Sequence, residues 1–202
     1  MSKVRIAFKT LGDDESPPPT FQERRCHIVY NVKMENFQRK VRLGAGGHMT
    51  EISGTMTYAS VVSMESVRIA LTLAALNDLE VKTADIENAY LTAPIGEKIW
   101  CLLGLEFGGD AGKRAIIVRA LYGLKSTGAC FRNHLADFIR HLRWESCNAD
   151  HDVRYKSETR KADGHQYHAS CLLYVDDILT LHHDGAKALR EINHHFFKAK
   201  DT

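Results

Sequence analysis

Long apolar runs are missing from this 202-residue chain. The longest, Ile69 to Leu76, covers eight residues and already contains Thr72, far short of the ~20 needed to span a bilayer. Met1 to Thr10 has no apolar h-region, so a secretory signal is not expected. Cysteine is sparse and unpaired in pattern: Cys26, Cys101, Cys130, Cys147 and Cys171 are odd in number and never form C-x-x-C. That argues against a disulfide framework or a thiolate zinc site, and for reduced thiols in the cytoplasm or nucleus. No G-x-S-x-G elbow occurs, so a serine-hydrolase reading has no foothold. Proline is limited to Pro94 and Pro17-Pro18-Pro19, and three in a row cannot continue a helix or a central strand. Residues 1–20 therefore read as a mobile or extended leader.

What remains is ordinary globular material, 44% hydrophobic and 26% charged, enough for one domain with a buried core. The net charge of +2 conceals blocks. Between Arg24 and Arg42 six Lys/Arg face Glu35 alone, a local +5. Between Asp78 and Asp110 seven acids face Lys82 and Lys98, a local −5. Between Lys113 and Arg143 seven Lys/Arg face Asp137 alone, a local +6. Basic blocks attract polyanions, although most charge runs are solvated faces. The eleven histidines include His165-x-x-His168, His182-His183 and His194-His195. None has the closed four-ligand spacing of a zinc site, so they read as solvated.

Periodicity lays out the elements. Cys26 to Lys33 and Arg39 to Ala45 lean towards strand and flank a plausible hairpin turn. Ser63 to Asn77 has apolar residues at 67, 70, 71, 73, 74 and 76, one broad helical face with Ser63 as N-cap. Val81 to Ile86, Ile99 to Leu103 and Ala115 to Val118 read as strands, and Ser126 to Leu142 as a helix. Gln166 to Tyr174 and Ile178 to Leu181 flank Val175-Asp176-Asp177 as a tight hairpin. Ala186, Leu189, Ile192 and Phe196 mark a last helix.

Two places carry chemistry. Adjacent carboxylates at Tyr174-Val175-Asp176-Asp177 repel one another and favour a cation beside them, although Asp is also an ordinary turn residue. Asp85 lies inside the strand-like run Val81 to Ile86, where a charge is unwelcome unless paired or metal-bound. If that strand lies beside the hairpin, Asp85 and Asp176 face each other at one end of a sheet, ~4–8 Å apart, as a two-metal site requires. Asp177 is expected to point partly away, since strand neighbours alternate faces. A polar strand end is the simpler alternative.

Taken together, VKTADIENAYL at 81–91, Ala120-Leu121-Tyr122-Gly123-Leu124-Lys125 and Tyr174-Val175-Asp176-Asp177 resemble the reverse transcriptase of copia-type LTR retrotransposons. Arg39-Lys40-Val41-Arg42-Leu43, Tyr58-Ala59-Ser60-Val61-Val62 and Val67-Arg68 extend the resemblance, with every landmark in order. Ser126-Thr127-Gly128-Ala129, Phe131 and Gly44 depart from the family's usual residues.

The resemblance implies an α+β right-hand polymerase palm of ferredoxin-like βαββαβ topology, with partial fingers. Fingers would occupy about 21–58 and palm about 59–202, with the last palm strand missing. It implies Asp85, Asp176 and Asp177 as catalytic carboxylates and, with the Ile86 carbonyl, as ligands of two Mg²⁺ ions, Mn²⁺ being the substitute. Tyr90 would be the steric gate under the incoming nucleotide, or else a buried palm aromatic. Lys40 or Arg42 would meet the triphosphate, with no basis for choosing between them. Gly123, Leu124, Lys125 and Tyr174 would contact template and primer. The implied partners are a primed RNA or DNA template and deoxynucleoside triphosphates, with no membrane. Because the family's primer-gripping segment is not among the residues matched, weak or absent polymerisation is expected. A catalytically silent nucleic-acid-binding remnant of a retroelement is the alternative.

Overall fold

Turn residues and period-two alternation divide the chain into short elements. The computed structural model describes residues 6–47, 57–195 and 199–201. In chain order these are β1 (Phe8–Thr10), β2 (Gln22–Glu23), β3 (Cys26–Val32), β4 (Arg39–Ala45), α1 (Met64–Leu76), β5 (Glu80–Ile86), α2 (Ala89–Thr92), β6 (Ile99–Leu102) and β7 (Arg114–Ile117). There follow α3 (Thr127–His141), β8 (Glu145–Ser146), β9 (Val153–Thr159), β10 (Gln166–Tyr174), β11 (Asp177–His182), α4 (Gly185–His195) and β12 (Ala199–Asp201). No described helix is long and apolar enough to cross a membrane.

The chain divides into two compact units, Met1–Tyr58 with Tyr90–Phe131, and Ala59–Ala89 with Arg132–Thr202. The second unit begins at Ala59, and 90–131 groups with the first unit. Sequence order does not reveal such a grouping, because it is made by strand pairing between distant segments.

In the first unit the sheet order is β1-β7-β6-β2, with β2 parallel to β6 and the other pairs antiparallel. The β3–β4 hairpin forms a separate ribbon in full register from Cys26↔Ala45 to Val32↔Arg39. Ala7, Ile99, Cys101, Phe107, Ala115, Ile117 and Leu121 make its core. The expected leader is therefore not free throughout. Phe8–Thr10 pairs with β7, and Ala7 is fully buried. The prolines stop regular structure at 17–19 only, leaving the residues before them able to join a sheet edge.

The second unit carries a six-stranded sheet of order β12-β5-β11-β10-β9-β8, antiparallel at each described pairing. Ser63 caps α1, its hydroxyl accepting the Ser66 N–H at 3.1 Å. Ala70 and Ala74 of α1 pack on Leu172 and Leu181 of the sheet. The small alanines let helix and strands approach closely. Helix α4 packs on β5 and β11, burying Ala188, Leu189 and Ile192. Phe196, expected on that helix, lies outside the described residues.

Two expectations are corrected in this unit, and one strand is added. A strand does follow α4: Ala199–Asp201 pairs with β5 through Ala199↔Ile86 and Asp201↔Ala84. Three residues with one apolar side chain give no alternation to read, and the strand exists through backbone pairing to an open edge. Strand β9 was not anticipated, because its inward position 154 is an arginine. His182 is not solvated but 5% exposed, with its ring 5.8 Å from that of Tyr167.

Candidate active site

Strand β5 and the β10–β11 hairpin bring the acidic residues together. Their cross-strand register sets Asp177 directly opposite Asp85, a position in which Cβ atoms are about 5 Å apart. Tyr174 pairs with Asp177, leaving Val175 and Asp176 as a two-residue turn. The Ile86 N–H donates to the Asp176 carbonyl at 2.9 Å, fastening that turn to the end of β5. Asp85, Asp176 and Asp177 thus share one end of one sheet. Asp177, rather than Asp176, is the direct partner of Asp85, because a two-residue turn puts the second acid back into the ladder.

Val175 has φ +54°. A β-branched side chain in the left-handed region is strained by roughly 1–3 kcal/mol, a cost found where the surroundings over-determine the backbone. The pairing on both sides of the turn supplies that constraint.

Electrostatics add to the pattern. Burial first, then the charges of Asp176 and Asp85, push the Asp177 carboxyl above the usual carboxylate range. None of the three carboxylates forms a side-chain hydrogen bond or an ion pair among the described residues. Beside them runs a groove of about 380 Å³ whose lining includes Asp85, Asp177, Tyr174, Val67, Leu172 and Leu179. Apart from the two acids and Thr83 its lining is apolar or aromatic.

Unbalanced carboxylate oxygens are hard donors, suited to Mg²⁺ or Mn²⁺. Among the described residues no group of three His, Cys, Asp or Glu side chains is gathered closely enough to hold a metal ion. Mg²⁺ seldom uses such a group, since it keeps waters and substrate phosphates in its shell and takes one or two carboxylates. The facing pair Asp85 and Asp177 supplies the one or two carboxylates that such an ion would take.

The other candidates, Tyr174 apart, lie in the first unit. Arg42 stands with its guanidinium carbon 5.4 Å from the Tyr122 ring centroid. Tyr122 and Tyr90 lie 4.7 Å apart between ring centroids, and Tyr90 meets Phe131 at 5.8 Å. Arg42, Tyr122, Tyr90 and Phe131 therefore form one row, and the Arg42 Nε is buried without a hydrogen-bond partner. Lys40, two residues back on the hairpin, is exposed and joins no such row.

The segment Leu121 to Lys125 is held from both sides. Ala45 N–H donates to the Tyr122 carbonyl at 2.8 Å, and the Thr127 hydroxyl to the Leu121 carbonyl at 2.6 Å. Gly123 has φ +92°, and a Cβ there would collide with the Ala45 carbonyl oxygen. Glycine is required on both counts. Leu124 is buried in the core, while Tyr122 and Tyr174 are exposed. Tyr122 was missing from the site residues expected from sequence, though it lies inside the recognised motif. Its signal was an aromatic beside a glycine that brings two backbones together.

Comparison with known proteins follows the same motifs. A sequence model described as reverse transcriptase (RNA-dependent DNA polymerase) matches residues 20–201. The chain is also 30% identical over 168 residues to the retrovirus-related Pol polyprotein from transposon TNT 1-94 of Nicotiana tabacum. That match covers 79% of this chain and 12% of the relative, so the chain spans a small part of that polyprotein. On these matches, together with the motifs that carry them, the chain belongs to the reverse transcriptase (RNA-dependent DNA polymerase) family, as a copia-type reverse transcriptase domain of a retrotransposon polyprotein.

Proposed function

We propose that the second unit is a polymerase palm and that the chain catalyses RNA-directed nucleotidyl transfer to a DNA primer 3′-hydroxyl. The observation that carries the reading is the cross-strand pair Asp85–Asp177 beside the Asp176 turn, an uncompensated acidic cluster at the end of a sheet. The order β12-β5-β11-β10 agrees with a βαββαβ unit. The strain at Val175 is of the kind found at functional turns.

In this reading Asp85, Asp176 and Asp177, with the Ile86 carbonyl, are the residues that would hold two Mg²⁺ ions. When bound, the ions supply activation of the attacking hydroxyl and charge neutralisation of the leaving pyrophosphate. The chain's own residues position the substrates. Arg42 is the better placed of the two fingers cations to meet the triphosphate, because its ring contact orients it and its Nε is free. Tyr90, set by Tyr122 and Phe131, excludes a ribose 2′-hydroxyl. Gly123, Leu124 and Lys125 present backbone and cation to the template, and Tyr174 contacts the primer.

Single-turnover addition of one deoxynucleotide to a DNA primer on an RNA template, with Mg²⁺ or Mn²⁺, tests the reading. Weak extension is expected in the parent chain, as the unmatched primer-gripping segment implies, with a further loss of at least ~100-fold in Asp176→Ala, Asp177→Ala. Template binding with no extension in either protein would overturn catalysis and leave a nucleic-acid-binding domain.

A further inference from the structure

A second charged site lies away from the carboxylates, between α3 and strands β8 and β9. Arg154 of β9 points inward, 5% exposed, opposite Cys171 in the ladder. It makes no hydrogen bond or ion pair among the described residues, and its Nε is buried without a partner. The nearest acid is already engaged. Asp152 accepts from Arg132 Nε at 3.0 Å and Nη2 at 2.9 Å, and from the Ser60 hydroxyl. Arg140 pairs with Asp137 at 2.7 Å on the exposed surface.

Arginine stays protonated in proteins, so the buried charge has to be tolerated rather than discharged. Burial is the main influence lowering the Arg154 pKa; Asp152 opposes it, while Arg132 and Arg140 add to it. The cations outnumber the acids by one: Arg132, Arg140, Arg143 and Arg154 stand against Asp137, Glu145 and Asp152. Arg154 opens onto two adjoining depressions of about 420 and 350 Å³ that share Arg140, Ser146 and Arg154, with Arg132, Asn133 and His151 lining the larger. Guanidinium forks, an amide and a hydroxyl around one cavity match the several acceptor oxygens of a tetrahedral anion.

The geometry points to a phosphate-binding site centred on Arg154, with Arg132, Arg140, Ser146 and Asn133 around it. The phosphate is either free, as inorganic phosphate or pyrophosphate, or part of a nucleic-acid backbone. The site does not depend on the carboxylate reading, since it shares no residue with it.

The test follows thermal unfolding of the whole 202-residue chain in chloride, phosphate and pyrophosphate at matched ionic strength, alongside binding of a single-stranded oligonucleotide. Phosphate or pyrophosphate should raise the melting temperature by a few degrees beyond chloride. Arg154→Met should abolish that excess while itself melting no lower in chloride, because a buried unpaired charge has gone. Arg140→Gln, at an exposed position that spares the core, should weaken the response about tenfold in anion concentration. Asp176→Asn should keep the full response, so failure of the polymerase reading leaves this one standing. Loss of about tenfold in oligonucleotide affinity in Arg154→Met, with competition by free phosphate, assigns a backbone phosphodiester. Unchanged oligonucleotide affinity with a lost phosphate response assigns a free anion. A phosphate excess that survives both arginine substitutions, or no excess in the parent chain, overturns the site.

Discussion

At the scale of single residues, Asp177 carries an electrostatic cost in the fold. Burial and two neighbouring carboxylates raise its pKa, so the folded chain holds that proton more tightly than the unfolded chain does. An acid of this kind contributes most below the ordinary carboxylate range, and its contribution is lost as pH rises through the raised pKa. Asp177→Asn should therefore melt higher than the parent at pH 7, by on the order of 1 °C given how exposed the group is. The difference should shrink as pH falls to 4. Melting curves across that range check it, and a variant that melts lower at pH 7 would contradict the assigned repulsion. Gly123 illustrates the opposite case. Its positive φ and contact with Ala45 are pure geometry, with no charge involved.

At the scale of elements, the start of α1 is tied to the turn before β9 by one carboxylate. Asp150 Oδ2 accepts the Ser63 N–H at 2.9 Å and the Ser66 hydroxyl at 2.7 Å. Its negative charge also sits at a helix N-terminus, where the dipole favours it. Burial works to raise the Asp150 pKa, but these hydrogen bonds and the Asp152 N–H outweigh it and the value falls below normal. A depressed carboxylate contributes stability above its unfolded pKa and loses it as pH falls through the folded value. Asp150→Ala should cost about 1–2 kcal/mol at pH 7. The gap between variant and parent should close below the carboxylate range. Urea unfolding at pH 7 and pH 3 measures both, and an equal gap at the two values would show that the bonds act independently of the charge.

At the scale of the whole molecule, the charge blocks are unequal once ion pairs are counted. In the block from Lys113 to Arg143, Lys113, Arg132 and Arg140 are paired with Asp110, Asp152 and Asp137. On the β3–β4 hairpin, Arg39 and Lys40 are exposed and form no ion pair among the described residues. Affinity for a primer–template should therefore fall steeply with salt, by release of condensed counterions. Arg39→Ala with Lys40→Ala should reduce the slope of log affinity against log salt by roughly 1–2. Anisotropy titrations at several salt concentrations read this directly. A flat dependence in the parent chain would remove the nucleic-acid reading of the first block.

The sequence by itself determined the local elements and the family. Ser63 as N-cap, helix α1, strand β5 and a tight hairpin at Val175-Asp176-Asp177 follow from short-range rules: capping, period 3.6, period 2 and turn chemistry. The two-residue length of the turn and the exposure of Leu71, Leu73 and Leu76 do not. The motifs around Asp85, Gly123 and Asp176 were legible for the same reason, as each is contiguous. Tertiary structure decided whatever depends on pairing between distant segments. It set Asp177 rather than Asp176 opposite Asp85, and it added β12 to the edge of β5. It also returned 90–131 to the first unit and put Arg42 against Tyr122. The buried Arg154 was hidden because a charge at an inward position breaks the alternation by which a strand is recognised. Periodicity records which face a residue occupies only when the buried face is apolar; where a cation lies inside, only the packed neighbours show it.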